Sequence, residues 1–86
     1  MNPRVVKVNP LDSFKLELYF ANGEVGVYDC TDLLDFGVFA ELKNIEYFNQ
    51  VSVLDGTVVW PNEQDICPDT LYLGSKRSTS KLSQVG

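Results

Sequence analysis

"FKLELYFANGEVGVYDC", residues 14–30, is the stretch of sequence that decides the fold, because it predicts a complete β-hairpin. Apolar and polar side chains alternate strictly along residues 14–20, which is typical of a strand with one buried face. The apolar face of that strand carries Phe14, Leu16, Leu18 and Phe20. Asn22-Gly23 is a strong hairpin signal, and residues 24–30 return as the partner strand. Gly26 within that partner strand indicates a bulge or a close approach of another backbone.

Two further segments predict strands on either side of this hairpin. Residues 4–10 have the density of β-branched side chains that strands favour. Residues 51–60 predict a second hairpin that turns about Asp55-Gly56. The apolar row of residues 14–20, together with Val51 and Val53, is expected to face a helical layer.

The period of the apolar pattern changes after Cys30 and indicates helical structure. Apolar residues recur there at spacings of one, two and three, as on one stripe of a helix, with an interruption near Gly37. The members of this stripe are Leu33, Leu34, Phe36, Phe39, Leu42, Ile45 and Phe48. We therefore expect a turn at 31–35, a helix at about 37–43 and a second turn at 45–49, with Thr31 or Asp32 capping the first of them.

The order of these elements, β-β-β-α-β-β, predicts the fold class. Runs of strands with one helical segment are typical of an α+β fold of two layers. We expect an antiparallel-rich β-sheet with short helices packed on one face. Residues 1–74 are predicted to form this single α+β domain, and the polar residues 75–86 a flexible tail.

"WPNEQDICPDTLY", residues 60–72, gathers rare residues and raises the question of a functional site. A local structural interpretation accounts for both prolines. Pro61 lacks an N–H and would end the second hairpin, and Pro68 suits the first position of a short helix over residues 68–73. Asp69 is favourable in the first turn of such a helix.

Net charge argues against direct binding of nucleic acid. Seven basic and 12 acidic residues give the chain a net charge of −5, and residues 1–74 alone hold 4 basic against 12 acidic residues. A phosphate backbone repels so acidic a body, so that only the basic tail could bind it. No run of signal-peptide or membrane-spanning length occurs, and we expect no membrane association and a cytoplasmic location.

The residue types present exclude most catalytic chemistry. The chain has no His, which removes Ser-His-Asp and Cys-His arrangements and most zinc sites. Its scattered glycines match no phosphate-binding loop. Cys30 and Cys67 form neither a disulfide framework nor a CxxC motif, and both are expected to be reduced and partly buried, Cys67 as a small hydrophobic residue. We expect no cofactor and no enzymatic activity.

A few side chains of the 60–72 stretch remain candidates for a functional surface. Carboxylates can bind a divalent cation or act as acid and base, but no calcium-loop pattern is present, and a solvated acidic loop is the favoured interpretation. Trp60 is either part of the core or an anchor for a partner. The candidate partner surface therefore comprises Trp60, Glu63, Asp65, Asp69 and Tyr72.

The chain also resembles a known family over about residues 4–73. The features that carry the resemblance are Phe20, Asn22-Gly23-Glu24, Asp29, the segment from Leu33 to Leu42, Phe48, and the run from Trp60 to Tyr72. On these residues the chain resembles the bacterial proteins grouped as domain of unknown function 2442. The resemblance implies a small α+β domain and no reaction. Some relatives are fused to a helix-turn-helix segment, a pattern that this sequence lacks, and others pair with a second small protein in toxin–antitoxin-like gene pairs.

Three functional hypotheses follow. The first is a non-catalytic protein-interaction module, including the antitoxin-like member of such a pair, with a small protein partner encoded nearby. The second is a DNA-associated regulatory accessory domain. The third is a small metal binder or enzyme that uses Glu63, Asp65 and Asp69. Homodimerisation through an unpaired edge strand at 4–8 is also left open.

Overall fold

The computed structural model describes residues 2–78, and its first sheet is built on the predicted hairpin. This sheet has the strand order β1-β2-β3-β7, and every neighbouring pair is antiparallel. Its strands are β1 (Val5–Leu11), β2 (Lys15–Phe20), β3 (Val25–Asp29) and β7 (Lys76–Ser78). The alternation in β2 has the predicted result, because Leu16, Leu18 and Phe20 are buried while the intervening side chains are half-buried.

A second, smaller sheet contains the predicted hairpin about Asp55-Gly56. Its order is β4-β5-β6, again antiparallel, with β4 at Ser52–Leu54, β5 at Thr57–Val59 and β6 at Asp65–Ile66. Both turn residues have positive φ, 53° and 82°, as a tight two-residue hairpin loop requires. The Val5 N–H donates to the Gly56 carbonyl at 2.9 Å and so joins the two sheets.

Short helices connect and cover the sheets. Two 3-10 helices, Thr31–Asp35 and Gly37–Lys43, and the one-turn helix α1 (Ile45–Phe48) lie between β3 and β4. Helix α2 (Pro68–Gly74) begins with Pro68 in its first turn, as predicted. The predicted cap at Thr31 or Asp32 is wrong, because the first 3-10 helix begins at Thr31 and Cys30 occupies the capping position without a side-chain hydrogen bond. The Asp29 carboxylate accepts hydrogen bonds from the Thr31 N–H and hydroxyl.

One apolar core includes residues from both sheets and from the helices. Trp60 and Phe48 are its largest buried side chains, with ring centroids 6.0 Å apart. The buried apolar residues are Val5, Leu16, Leu18, Phe20, Cys30, Leu42, Phe48, Val58, Trp60, Ile66 and Leu71. The architecture is thus α+β, with antiparallel sheets and a few short helices. Residues 2–78 contain no helix long and apolar enough to cross a membrane.

The structure corrects the predicted layout in two respects. The strands form two sheets rather than one, and the order continues past the second hairpin with β6, α2 and β7. Residues 76–78, assigned to the flexible tail, form β7 and pair with β3, so that this part of the predicted tail belongs to the first sheet. The rest of the predicted tail, residues 79–86, lies outside the described residues.

Candidate interaction site

The turn at residues 60–64 has a structural role: backbone hydrogen bonds hold it and Trp60 anchors it in the core. The Trp60 N–H donates to the Gln64 carbonyl and the Glu63 N–H to the Trp60 carbonyl, both at 2.9 Å. Glu63 has a φ of 72°, in the left-handed region. The indole of Trp60 is buried, and its Nε1–H donates to the Phe48 carbonyl at 3.0 Å. Trp60 therefore belongs to the core and does not contribute to the candidate partner surface.

Gln64 is a buried polar residue whose side chain joins this turn to the helical segment. Its Nε2 donates to the Val38 carbonyl at 3.2 Å and to Glu41 Oε1 at 2.9 Å. Its Oε1 accepts the Tyr47 hydroxyl at 2.5 Å. A buried amide with all of these partners is well satisfied, and removal of one partner would leave costly unpaired groups. Gln64 was not among the predicted site residues, since nothing in the local sequence indicates that a glutamine is buried.

Asn62 and Glu41 extend the same network to the surface. Asn62 Nδ2 lies 2.8 Å from both carboxylate oxygens of Glu41, and the Asn62 N–H donates to the Tyr47 hydroxyl at 2.9 Å. Hydrogen bonds from Asn62, and then from Gln64, lower the pKa of Glu41 below its usual value, because they favour the charged carboxylate. The network fixes residues 38–47 against the turn at 60–64.

The three candidate acids of residues 60–72 are exposed and do not assemble into a cation site. Glu63, Asp65 and Asp69 are all on the surface, and Asp69 accepts a hydrogen bond from Asn2 at 3.2 Å. Within residues 2–78, no three carboxylate or cysteine side chains are grouped as metal ligands would be. The arrangement therefore gives the metal-binding hypothesis no support.

Tyr72, the fifth candidate, is half-buried in a cluster that ties α2 to the first sheet. Its hydroxyl donates to Glu24 Oε1 at 2.6 Å, and the Arg77 guanidinium lies 3.9 Å from its ring centroid. Phe20 packs edge-on against the same ring. Hydrogen bonds from Tyr72 and Asn22 lower the pKa of Glu24, and the bond to Glu24 raises the pKa of Tyr72. The cluster therefore has a structural role, since it connects α2 to the first sheet. One of its members, Arg77, belongs to strand β7, which the sequence did not predict.

The two cysteines differ in exposure, and the prediction for one of them is wrong. Both are free, but Cys30 is buried and Cys67 is exposed. Burial, and to a lesser degree Asp29, raises the pKa of Cys30 to about 12. Cys67 precedes Pro68 at the start of α2 and is exposed there, so that it is not the buried hydrophobic residue that was expected.

Two shallow clefts are too small for the usual small-molecule site. One, of about 280 Å³, is lined by Asn2, Arg4, Pro68 and Asp69. The other, of about 160 Å³, lies beside Lys15, Asp29 and Lys76. Ligand pockets generally measure roughly 300–1,000 Å³, so both clefts lie below the usual range of volumes.

The helical segment contains an exposed apolar surface that the sequence pattern did not predict. Phe36 is 60% exposed and Val38 64% exposed, although Phe36 was expected on the buried stripe; Ile45, another member of that stripe, is also exposed. We call Phe36, Gly37 and Val38 the apolar tip. Phe36 is extended between the two 3-10 helices, and this break in the helical period turns its side chain outward.

These observations define a small α+β domain of two antiparallel sheets. Residues 60–72 have a structural role in it, since they form the 60–64 turn, strand β6 and the start of helix α2. The model of the family described as "Protein of unknown function (DUF2442)" matches residues 5–77 of the chain. The protein belongs to this family, as the sequence motifs indicated. No curated protein and no solved structure matches the chain.

Proposed function

We propose that the protein is a non-catalytic protein-interaction module and that it is the antitoxin-like member of a gene pair. The observation that carries the proposal is the apolar tip, where two large apolar side chains are exposed although the backbone around them is hydrogen-bonded. Apolar surface left exposed to solvent can mark a protein-interaction site, and a fixed backbone reduces the entropy lost on binding. The candidate acids, by contrast, are dispersed on the surface.

The partner that we propose is a small protein encoded next to this one. The net charge of −5 supports a basic partner, because opposite charges steer association and discriminate against wrong partners. We include a cytoplasmic location in the proposal, since two free cysteines are compatible with a reducing compartment. No feature of the described residues favours DNA association or a catalytic role over this function.

Co-expression with the neighbouring gene product tests the proposal. The neighbour is expected to co-purify with the tagged chain as a stable complex and, if it inhibits growth alone, to lose that effect when the two are expressed together. An unrelated protein with the same tag serves as the control. If the neighbour purifies without the chain and its effect on growth is unchanged, the proposed function is wrong.

A further inference from the structure

Resting on the proposed function, we propose that the apolar tip is the docking surface for a basic peptide segment of the partner, in which one large apolar side chain is flanked by Lys or Arg. This proposal rests on exposure, backbone geometry and local charge in the segment from Thr31 to Lys43.

The first step concerns the position of the exposed side chains. The Phe36 N–H donates to the Leu33 carbonyl and the Phe39 N–H to the Phe36 carbonyl, both at 2.9 Å. The Val38 carbonyl accepts the buried Gln64 amide. The tip therefore has a fixed backbone on both sides, and little conformational entropy would be lost on binding. The turn at residues 60–64 therefore has a second role, because the hydrogen bond from Gln64 holds the backbone of the apolar tip in place.

The apolar tip is open to approach at Gly37. A Cβ placed on Gly37 would meet no atom within 4 Å from any part of the protein beyond its chain neighbours, and Gly37 does not have the left-handed φ that glycine favours. Neither packing nor backbone conformation of the fold requires a glycine there. The surface at Gly37 is therefore open, and no other part of the fold blocks the approach of a partner's apolar side chain to the apolar tip.

The third step concerns charge and selects the occupant. Between residues 31 and 43 the sequence contains three acids, Asp32, Asp35 and Glu41, and one basic residue, Lys43. Among the described residues none of these acids is in an ion pair, and Glu41 already accepts hydrogen bonds from Asn62 and Gln64. A basic segment would supply counter-charges to Asp32 and Asp35, whereas a second copy of this chain or a nucleic acid would bring further negative charge to the tip.

A peptide-display selection on the full chain tests the inference. We expect the selected peptides to carry an aromatic or aliphatic residue flanked by at least two basic residues. Binding of the best synthetic peptide, measured by fluorescence anisotropy, should weaken at least about tenfold in Phe36→Ser, as loss of an anchor residue predicts. Leu73→Ser is the matched control, because Leu73 is 68% exposed on α2. That control should bind within about twofold of the wild type, since surface substitutions away from a binding site have small effects.

Several results would overturn the inference, and they are separable from failure of the proposed function. Selection of no peptide, of peptides without basic residues, or of peptides that bind Phe36→Ser as tightly as wild type would each do so. Thermal unfolding of both variants verifies that they are folded. If the neighbouring gene product co-purifies equally with wild type and Phe36→Ser, the proposed function stands and this docking surface is wrong.

Discussion

Gln64 is the residue on which the attachment of the 60–64 turn depends, since one buried amide contacts Val38, Glu41 and Tyr47. We expect Gln64→Ala to lower the free energy of unfolding by about 1–3 kcal/mol, because it leaves buried polar groups unpaired. Urea denaturation followed by Trp60 fluorescence measures this, since the chain has a single Trp. The exposed neighbour Glu63→Gln is the control and should change stability by less than about 0.5 kcal/mol. Equal effects of the two substitutions would show that the Gln64 network has no structural role.

Cysteine reactivity reports the burial of the two thiols. We expect iodoacetamide to alkylate Cys67 in the folded protein and Cys30 only after unfolding, because burial raises the pKa of Cys30 to about 12 and the thiolate is the reactive species. Mass spectrometry of peptides from native and urea-treated protein counts the modified sites. Comparable labelling of Cys30 and Cys67 under native conditions would contradict the placement of Cys30 in the core.

The hydrogen bond from Tyr72 to Glu24 predicts a measurable pKa change. Its removal in Tyr72→Phe should raise the pKa of Glu24 toward its usual value, though not fully, because Asn22 still donates to the carboxylate. A carbon-detected NMR titration measures this. Tyr19→Phe is the control, since Tyr19 donates to Glu17 and not to Glu24. An unchanged Glu24 titration in Tyr72→Phe would contradict the contact.

The same contact gives stability a pH dependence whose sign follows from the shifts. The pKa of Glu24 is lowered in the folded state, so its contribution is present above the unfolded pKa and is lost as pH falls through the folded pKa. The pKa of Tyr72 is raised, so its contribution is present at neutral pH and is lost as pH rises through the folded value. Tyr72→Phe should accordingly reduce the dependence of unfolding on pH at the acidic and alkaline extremes.

Strand β7 is the secondary-structure element that the sequence predicted least well. It can approach β3 closely because Gly26 of β3 has no side chain at the point of contact. A Cβ on Gly26 would lie 2.7 Å from the Ser75 hydroxyl and 3.0 Å from Arg77 Cγ. We expect Gly26→Ala to destabilise the protein by about 1–3 kcal/mol, since overpacking forces neighbouring atoms apart. Thermal unfolding monitored by circular dichroism measures the change.

Gly37→Ala is the matched control for that substitution. The space around Gly37 is open, so this change should leave stability unaltered or raise it by a few tenths of a kcal/mol, as a better helix former does. If Gly26→Ala were as stable as Gly37→Ala, the close pairing of β3 with β7 would be contradicted.

Elements with strong local signals were predictable from the sequence, and elements formed by distant pairing were not. Strand β2 follows from its alternation, and the turn at Asp55-Gly56 from residues that tolerate positive φ. Strand β7 is polar and short, and only its pairing with β3, some fifty residues earlier, makes it a strand. Local patterns contain no information about such pairing, and for the same reason the division into two sheets was missed.

The candidate site was predicted less well than the fold, for a related reason. Rarity of residue type drew attention to Trp60, which the structure buries, while the exposed Phe36 was assigned to an apolar stripe. Whether a side chain on the predicted stripe is exposed depends on where the helix is interrupted. The backbone is extended at Phe36, between the two 3-10 helices, and the helical period is interrupted there. The family, by contrast, could be identified from the sequence, and its model matches residues 5–77.

The whole molecule is acidic, and this charge supports the basic partner that we propose. Its 12 acidic residues exceed its 7 basic residues, four of which lie within residues 1–74. Because the apolar tip lies in a segment rich in acids, a basic partner would gain both apolar burial and electrostatic steering. Binding of this kind weakens as salt concentration rises, since exposed charges are screened.

Isothermal titration of the neighbouring gene product into the full chain tests the central claim most directly. We predict saturable binding that weakens with added salt and becomes at least about tenfold weaker in Phe36→Ser, with Leu73→Ser unchanged. A neighbour that releases no binding heat with the wild-type chain over a range of temperatures, and does not co-elute with it, would contradict the proposed function. Binding of equal affinity to wild type and Phe36→Ser would contradict the docking of a partner at the apolar tip.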